Sequence, residues 1–245
     1  MREVVEILGV KIDKITADHA LKNAKKYITT PGVSMIFTPN PEIVMAGYQD
    51  KTFREILNSA DMCTPDGIGV VYASRILKNP VPERVAGFDL TCGILEHVAK
   101  TGDGVFLFGA APGIAETAKT KLEEKYEGLK ISGTHDGFFS TADEPDIINQ
   151  INKSGAKVLL VCLGAPKQEK WIYANRHKLH VALCMGVGGA LDVFAGNVKR
   201  APKIFIKCNL EWFYRLCKQP SRFGRFLVLP KFMMTVKKEN KKNKK

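Results

Sequence analysis

Residues 158–163 read Val-Leu-Leu-Val-Cys-Leu, an unbroken apolar run ending at Gly164. A strand with one wet face would alternate apolar and polar residues, so this run reads as a strand covered on both sides. Shorter apolar patches recur along the chain. They predict strands over 34–38, 61–64, 105–108, 129–133 and 181–185. Helical spacing lies between them, over 17–28, 68–77, 88–100, 112–125, 145–153 and 166–175, with a further helix opening at Pro41. Asn40 is placed as its N-cap, with Pro41 at the first helical position. Alternating β and α elements with continuously apolar strands define an α/β fold, a mainly parallel, Rossmann-like sheet covered by helices. Ligands of such sheets bind outside the carboxyl ends of the strands.

Charge divides the 245-residue chain unevenly. Residues 199–245 carry fifteen Lys/Arg against Glu211 and Glu239, a balance of +13, while residues 1–198 sit at −1. Apolar residues at 45% and charged residues at 25% are ordinary globular proportions, so the near-neutral body can bury a core. From Pro202 onward aromatics and cations interleave in what reads as two or three helices. Residues 1–196 are therefore expected as a catalytic domain and 197–245 as a basic, aromatic appendage. A basic tail meets either nucleic acid or an anionic membrane. Its last stretch, 237–245, reads as a solvated end.

Several chemistries lack their residues. No GxxxxGK[ST] phosphate loop and no GxSxG nucleophile elbow occur. Gly186-Val-Gly188-Gly189-Ala-Leu191 begins like a dinucleotide fingerprint, but Leu191 replaces the last glycine. No Asp-x-Asp pair is present to hold a metal against a diphosphate, and no cofactor is implied. His177 and His180 read as surface polar residues. The six cysteines, at 63, 92, 162, 184, 208 and 217, form no CxxC pair and read as buried free thiols of a reducing compartment. The N-terminus lacks an apolar targeting segment, and no apolar run approaches the ~20 residues of a membrane span.

Polar residues gather where strands end. Thr38-Pro-Asn40-Pro-Glu follows one strand, where Asn40 equally serves as a helix cap. Thr64-Pro-Asp66-Gly-Ile-Gly puts a carboxylate on a tight turn. Asp66 there is either a general base for a sugar hydroxyl or an N-cap. Arg84, in Glu-Arg-Val-Ala-Gly, precedes a helix and suits a leaving diphosphate; an ion pair with Glu83 is the alternative. Phe108-Gly109-Ala-Ala-Pro-Gly is a small-residue turn into a helix N-terminus, as phosphates favour. Lys167 and Gln168 open the helix after the 158–163 strand. Gly186, Gly188 and Asp192 form a further turn on the same edge.

Taken in order, these seven motifs, closing with Leu-Glu-Trp-Phe-Tyr-Arg-Leu at 210–216, resemble the WecG/TagA/CpsF glycosyltransferases from about residue 4 to 232. The resemblance implies the GT-E type of sheet and an inverting, metal-independent transfer. It implies UDP-N-acetylmannosamine as donor, N-acetylglucosaminyl-diphospho-undecaprenol as acceptor and a β-1,4 product. UDP-N-acetylmannosaminuronate, UDP-glucose and UDP-N-acetylglucosamine stay open as donors of relatives. Matched by motif, Asp66 is the base on the acceptor 4-hydroxyl, Thr38 and Gln168 line the cleft, and Arg84 binds the donor diphosphate. Arg215, Arg222 and Arg225 match arginines that a membrane-touching appendage delivers over the site. The expected partners are thus the UDP-sugar, the polyprenyl-diphosphate acceptor and an anionic membrane on its cytoplasmic face, with a homo-oligomer off the membrane. A nucleic-acid-binding role is the competing reading of the tail, but it leaves Asp66 and the strand-end turns without a task.

Overall fold

The computed structural model describes residues 2–207, 213–214 and 228–242. Two strands, β1 (Val4–Ile7) and β2 (Val10–Asp13), pair antiparallel through a tight turn at Leu8 and Gly9, both at positive φ. The other six, β3 (Ser34–Phe37), β4 (Met62–Cys63), β5 (Gly104–Gly109), β6 (Lys130–His135), β7 (Val158–Cys162) and β8 (Leu183–Gly186), form one parallel sheet in the order β4-β3-β8-β7-β5-β6.

Side-chain alternation sorts the strands into two apolar layers. Phe106, Phe108, Leu159, Val161 and Cys184 point to one face, and Val105, Leu107, Val158, Leu160, Leu183 and Met185 to the other. Both faces are dry, which is why β5, β7 and β8 are apolar throughout rather than at alternate positions. The second face is covered by α1 (Ala17–Thr29), α5 (Gly87–Thr101), α6 (Ile114–Lys125) and α9 (Ala190–Phe194). The first face is covered by α2 (Pro41–Gln49), α3 (Lys51–Asn58), α4 (Ile68–Ile76), α7 (Glu144–Lys153), α8 (Lys167–Asn175) and the β1–β2 hairpin.

The hairpin and α3 were not expected from the pattern. The hairpin braces the edge strand β4: Asp13 takes an Arg2 ion pair and accepts the Cys63 N–H at 2.6 Å. An edge N–H that would otherwise lack a partner is thereby satisfied.

A short helix, α10 (Lys203–Lys207), and a long C-terminal helix, Val228–Lys242, belong to the basic segment. The C-terminal helix packs on α2 and α4, burying Phe232 and Val236 completely, and Asn240 donates to the Ile76 carbonyl at 3.1 Å. Two such side chains contribute about 1.5–3 kcal/mol each by removal from water. Residues 237–242, expected as a solvated end, are therefore helical. Their helix is anchored by apolar residues one and two turns upstream, which outweigh the repulsion among the exposed lysines. Cys63, Cys162 and Cys184 are buried free thiols as expected, and Cys92 is half-buried.

Candidate active site

The carboxyl ends of the strands follow one another along a single edge, and most of the residues singled out above stand there. Strand spacing of ~4.8 Å sets their separation. The β4 turn carrying Asp66 lies next to the β3 end carrying Thr38. The Gly186–Gly189 turn after β8 is about 10 Å from the β4 turn, across β3. Lys167, after β7, and Gly109, the last residue of β5, lie farther along.

At the β3–β4 end the parts converge closely. The Gly87 N–H, in the first turn of α5, donates to Asp66 Oδ2 at 3.3 Å. A Cβ on Gly87 would sit 2.9 Å from Thr38 Oγ1, so this backbone passes directly against the Thr38 side chain. The Val85 N–H donates to the Pro65 carbonyl at 3.0 Å, tying the Arg84 loop to the Asp66 turn. Asp66 does not cap the helix that follows it: α4 begins at Ile68, its N-cap is Gly67, and there is no side-chain cap bond. Its carboxylate instead faces the N-terminus of α5 across the turn. Asp66 and Arg84 are both half-buried. Arg84 borders a cavity of about 300 Å³ with Leu21, Val85, Leu90 and Ile206. Glu83 is engaged elsewhere, accepting from the Ala17 N–H at 2.7 Å at the start of α1. Asn40 is the N-cap of α2, accepting the Ile43 N–H at 3.0 Å.

In the middle of the edge, Gln168 is only 3% exposed. Its Oε1 accepts the Gly188 N–H at 3.0 Å and its Nε2 donates to Glu169 Oε1 at 2.9 Å. Gly186 is glycine because a Cβ there would fall 2.8 Å from Gln168 Nε2. Gly188 sits at φ +54°, and its carbonyl accepts the Cys162 thiol. Asp192, in the first turn of α9, is half-buried beside Gly189. Burial raises the Glu169 carboxyl above its ordinary value and pushes the Cys162 thiol up to about 11. Thr64 Oγ1 and Glu169 Oε2 are buried without a hydrogen-bond partner among the described residues.

The far residues are occupied by the fold itself. A Cβ on Gly109, at φ +124°, would overlap the Cys162 backbone, so glycine there answers to strand packing. Lys167 is exposed, 4.2 Å above the Phe139 ring and 3.3 Å from the Gly137 carbonyl. His177 and His180 are exposed. Arg215, Arg222 and Arg225 lie outside the described residues. Gly87 and Glu169 join the site only in the folded structure; the sequence signal for them was their place three residues after Arg84 and directly after Gln168.

A model of the glycosyl transferase WecG/TagA/CpsF family matches residues 5–245. The chain belongs to that family. Its relatives include proteins named N-acetylglucosaminyldiphosphoundecaprenol N-acetyl-beta-D-mannosaminyltransferase. The one from Bacillus subtilis strain 168 is 41% identical over 90% of this chain and 85% of its own. That from Staphylococcus aureus strain MW2 is 36% identical over 98% and 95%. That from Bacillus spizizenii is 38% identical over 85% and 80%. As a WecG/TagA/CpsF glycosyltransferase, the chain carries the motifs around Thr38, Asp66, Gly109, Lys167 and Gly186 at the carboxyl ends of its strands. Among the described residues, no helix is long and apolar enough to cross a membrane.

Proposed function

We propose that this chain transfers N-acetylmannosamine from its UDP-sugar to the 4-hydroxyl of N-acetylglucosaminyl-diphospho-undecaprenol, with inversion, building the linkage unit of wall teichoic acid. The observation that carries this reading is near full-length similarity to three relatives named for that transfer.

Asp66 is the general base. An inverting transfer needs one carboxylate beside the attacking hydroxyl, and Asp66 stands half-buried on the strand-end turn next to Thr38. The Gly87 N–H fixes its orientation, and the Asp66 carboxylate takes the acceptor proton. As the hydroxyl attacks the anomeric carbon, the bond to UDP breaks and one further negative charge develops on the β-phosphate oxygen that departs. Arg84 lies on the loop tied to the same turn, and Arg215, Arg222 and Arg225 supply further fixed cations when the tail closes. Fixed cations stabilise such charge without a metal, in keeping with the lack of an Asp-x-Asp pair. The Gly186–Gly189 turn and Asp192 receive the nucleotide.

The basic, aromatic segment meets the anionic leaflet that carries the acceptor. Each Lys or Arg near such a surface contributes about 1 kcal/mol. Exposed Tyr72, Ile204 and Met234 add apolar contact. The protein then works as a peripheral enzyme on the cytoplasmic face of the membrane, and self-association is a state off the membrane.

The test is separate incubation of the purified chain with UDP-N-acetylmannosamine and with the three other UDP-sugars named above, each with a short-chain polyprenyl-diphospho-N-acetylglucosamine. Product mass should rise by one N-acetylhexosamine with the first donor. Transfer from another donor alone would overturn the substrate reading.

A further inference from the structure

Glu169 is 1% exposed, one residue beyond Gln168, and the reaction as described gives it no task. Its surroundings are specific. One carboxyl oxygen accepts from Gln168 Nε2 at 2.9 Å, and the other has no partner among the described residues. At the far end of the same amide, Gln168 Oε1 accepts the Gly188 N–H at 3.0 Å. A primary amide has one accepting and one donating end. The Gly188 N–H can only donate, so the amide must present its oxygen there and its NH₂ to whatever lies opposite. An acceptor opposite fixes that choice. Without one, the amide can turn over and set two donors against each other, which ends the bond to Gly188.

We propose that Glu169 is a positioning residue of the transfer site: it holds the Gln168 amide in the orientation that clamps Gly188, and through Gly188 it sets the 186–189 turn leading to Asp192. The turn is built to be held in this way. Gly186 lacks a Cβ where the amide packs, and the Cys162 thiol holds the Gly188 carbonyl from the β7 side. Gln168 thereby acts as a strut, both of its polar ends being engaged within the protein. The inference rests on the reading that this turn receives the UDP of the donor.

The test measures UDP affinity by calorimetry and transfer kinetics on the full-length chain. Glu169→Leu removes the acceptor while keeping bulk, and should weaken UDP binding on the order of tenfold, the scale on which outer supports of a site act. Glu169→Gln keeps an accepting carbonyl and should stay close to wild type. In a Gln168→Ala background, Glu169→Leu should cost nothing more, because the strut it serves is already gone. If Glu169→Leu folds poorly, an exchange replaces it. Gln168→Glu alone sets two carboxyls together and should lose UDP binding, whereas Gln168→Glu with Glu169→Gln restores one donor and one acceptor and should recover it. A folded Glu169→Leu with unchanged UDP affinity, additive costs in the cycle, or no recovery in the exchange each overturns the proposal. A wild-type chain that binds UDP but transfers nothing overturns the functional reading alone, and one that does not bind UDP sinks both.

Discussion

The backbone N–H of Gly87 donates to Asp66 Oδ2 at 3.3 Å, joining the turn after β4 to the first turn of α5. That bond fixes one carboxylate oxygen against the start of α5. The same bond makes the proposed base testable without unfolding its surroundings.

Asp66→Asn keeps an oxygen for the Gly87 N–H but cannot take a proton. Turnover should fall ~10²–10⁴-fold, the usual worth of general-base assistance, with UDP affinity and melting temperature near wild type. Rates close to wild type would reduce Asp66 to a structural partner of α5.

If arginines meet the developing charge, as proposed, transfer should continue undiminished in excess EDTA. Loss of turnover on chelation, with recovery on adding Mg²⁺ or Mn²⁺, would refute the metal-independent mechanism.

The appendage arginines are best tested singly. Deleting everything after Gly196 would also remove Phe232 and Val236 from the core, so loss of transfer could reflect loss of packing. Phe232→Ala alone should cost about 3–5 kcal/mol of stability, read as a lowered urea midpoint. Arg215→Ala, Arg222→Ala and Arg225→Ala should leave that midpoint in place. An arginine over the leaving diphosphate should cost ~10²–10³-fold in kcat on a soluble acceptor. One that only touches the membrane should weaken binding to anionic vesicles and leave that kcat unchanged.

Burial holds the Glu169 carboxyl above its ordinary 4.5. The folded protein then keeps a proton that the unfolded chain releases. Its contribution to stability is complete below the unfolded value and is lost as pH rises through the raised folded value. Glu169→Gln, which does not titrate, should flatten the fall of the urea midpoint with pH above 4.5. Its neighbour Cys63, pushed up to about 12 by burial, does not titrate over that span. An unchanged slope in Glu169→Gln would place the pH dependence elsewhere.

The sequence by itself determined the sheet and its functional edge. Runs such as 158–163 can satisfy their side chains only between two dry faces, and βαβ chemistry then puts the polar turns at one end. The family was equally legible, because seven motifs in order survive any uncertainty about a single one. What escaped was the short and the distant. The β1–β2 hairpin has four residues per strand and little periodicity, so its existence depends on Asp13 meeting Cys63 fifty residues later. The helical state of 237–242 depends on Phe232 and Val236 finding a groove between α2 and α4. For Asp66 the sequence left base and helix cap equally open, and only tertiary structure turned its carboxylate to α5. Gln168 reads from its motif as a residue lining the cleft, and only the fold shows it buried against Gly186 with both ends of its amide engaged. Periodicity and capping are local, set by neighbours within a turn or a strand. Which buried donor meets which acceptor is settled only when β4, β3, β8 and β7 lie side by side.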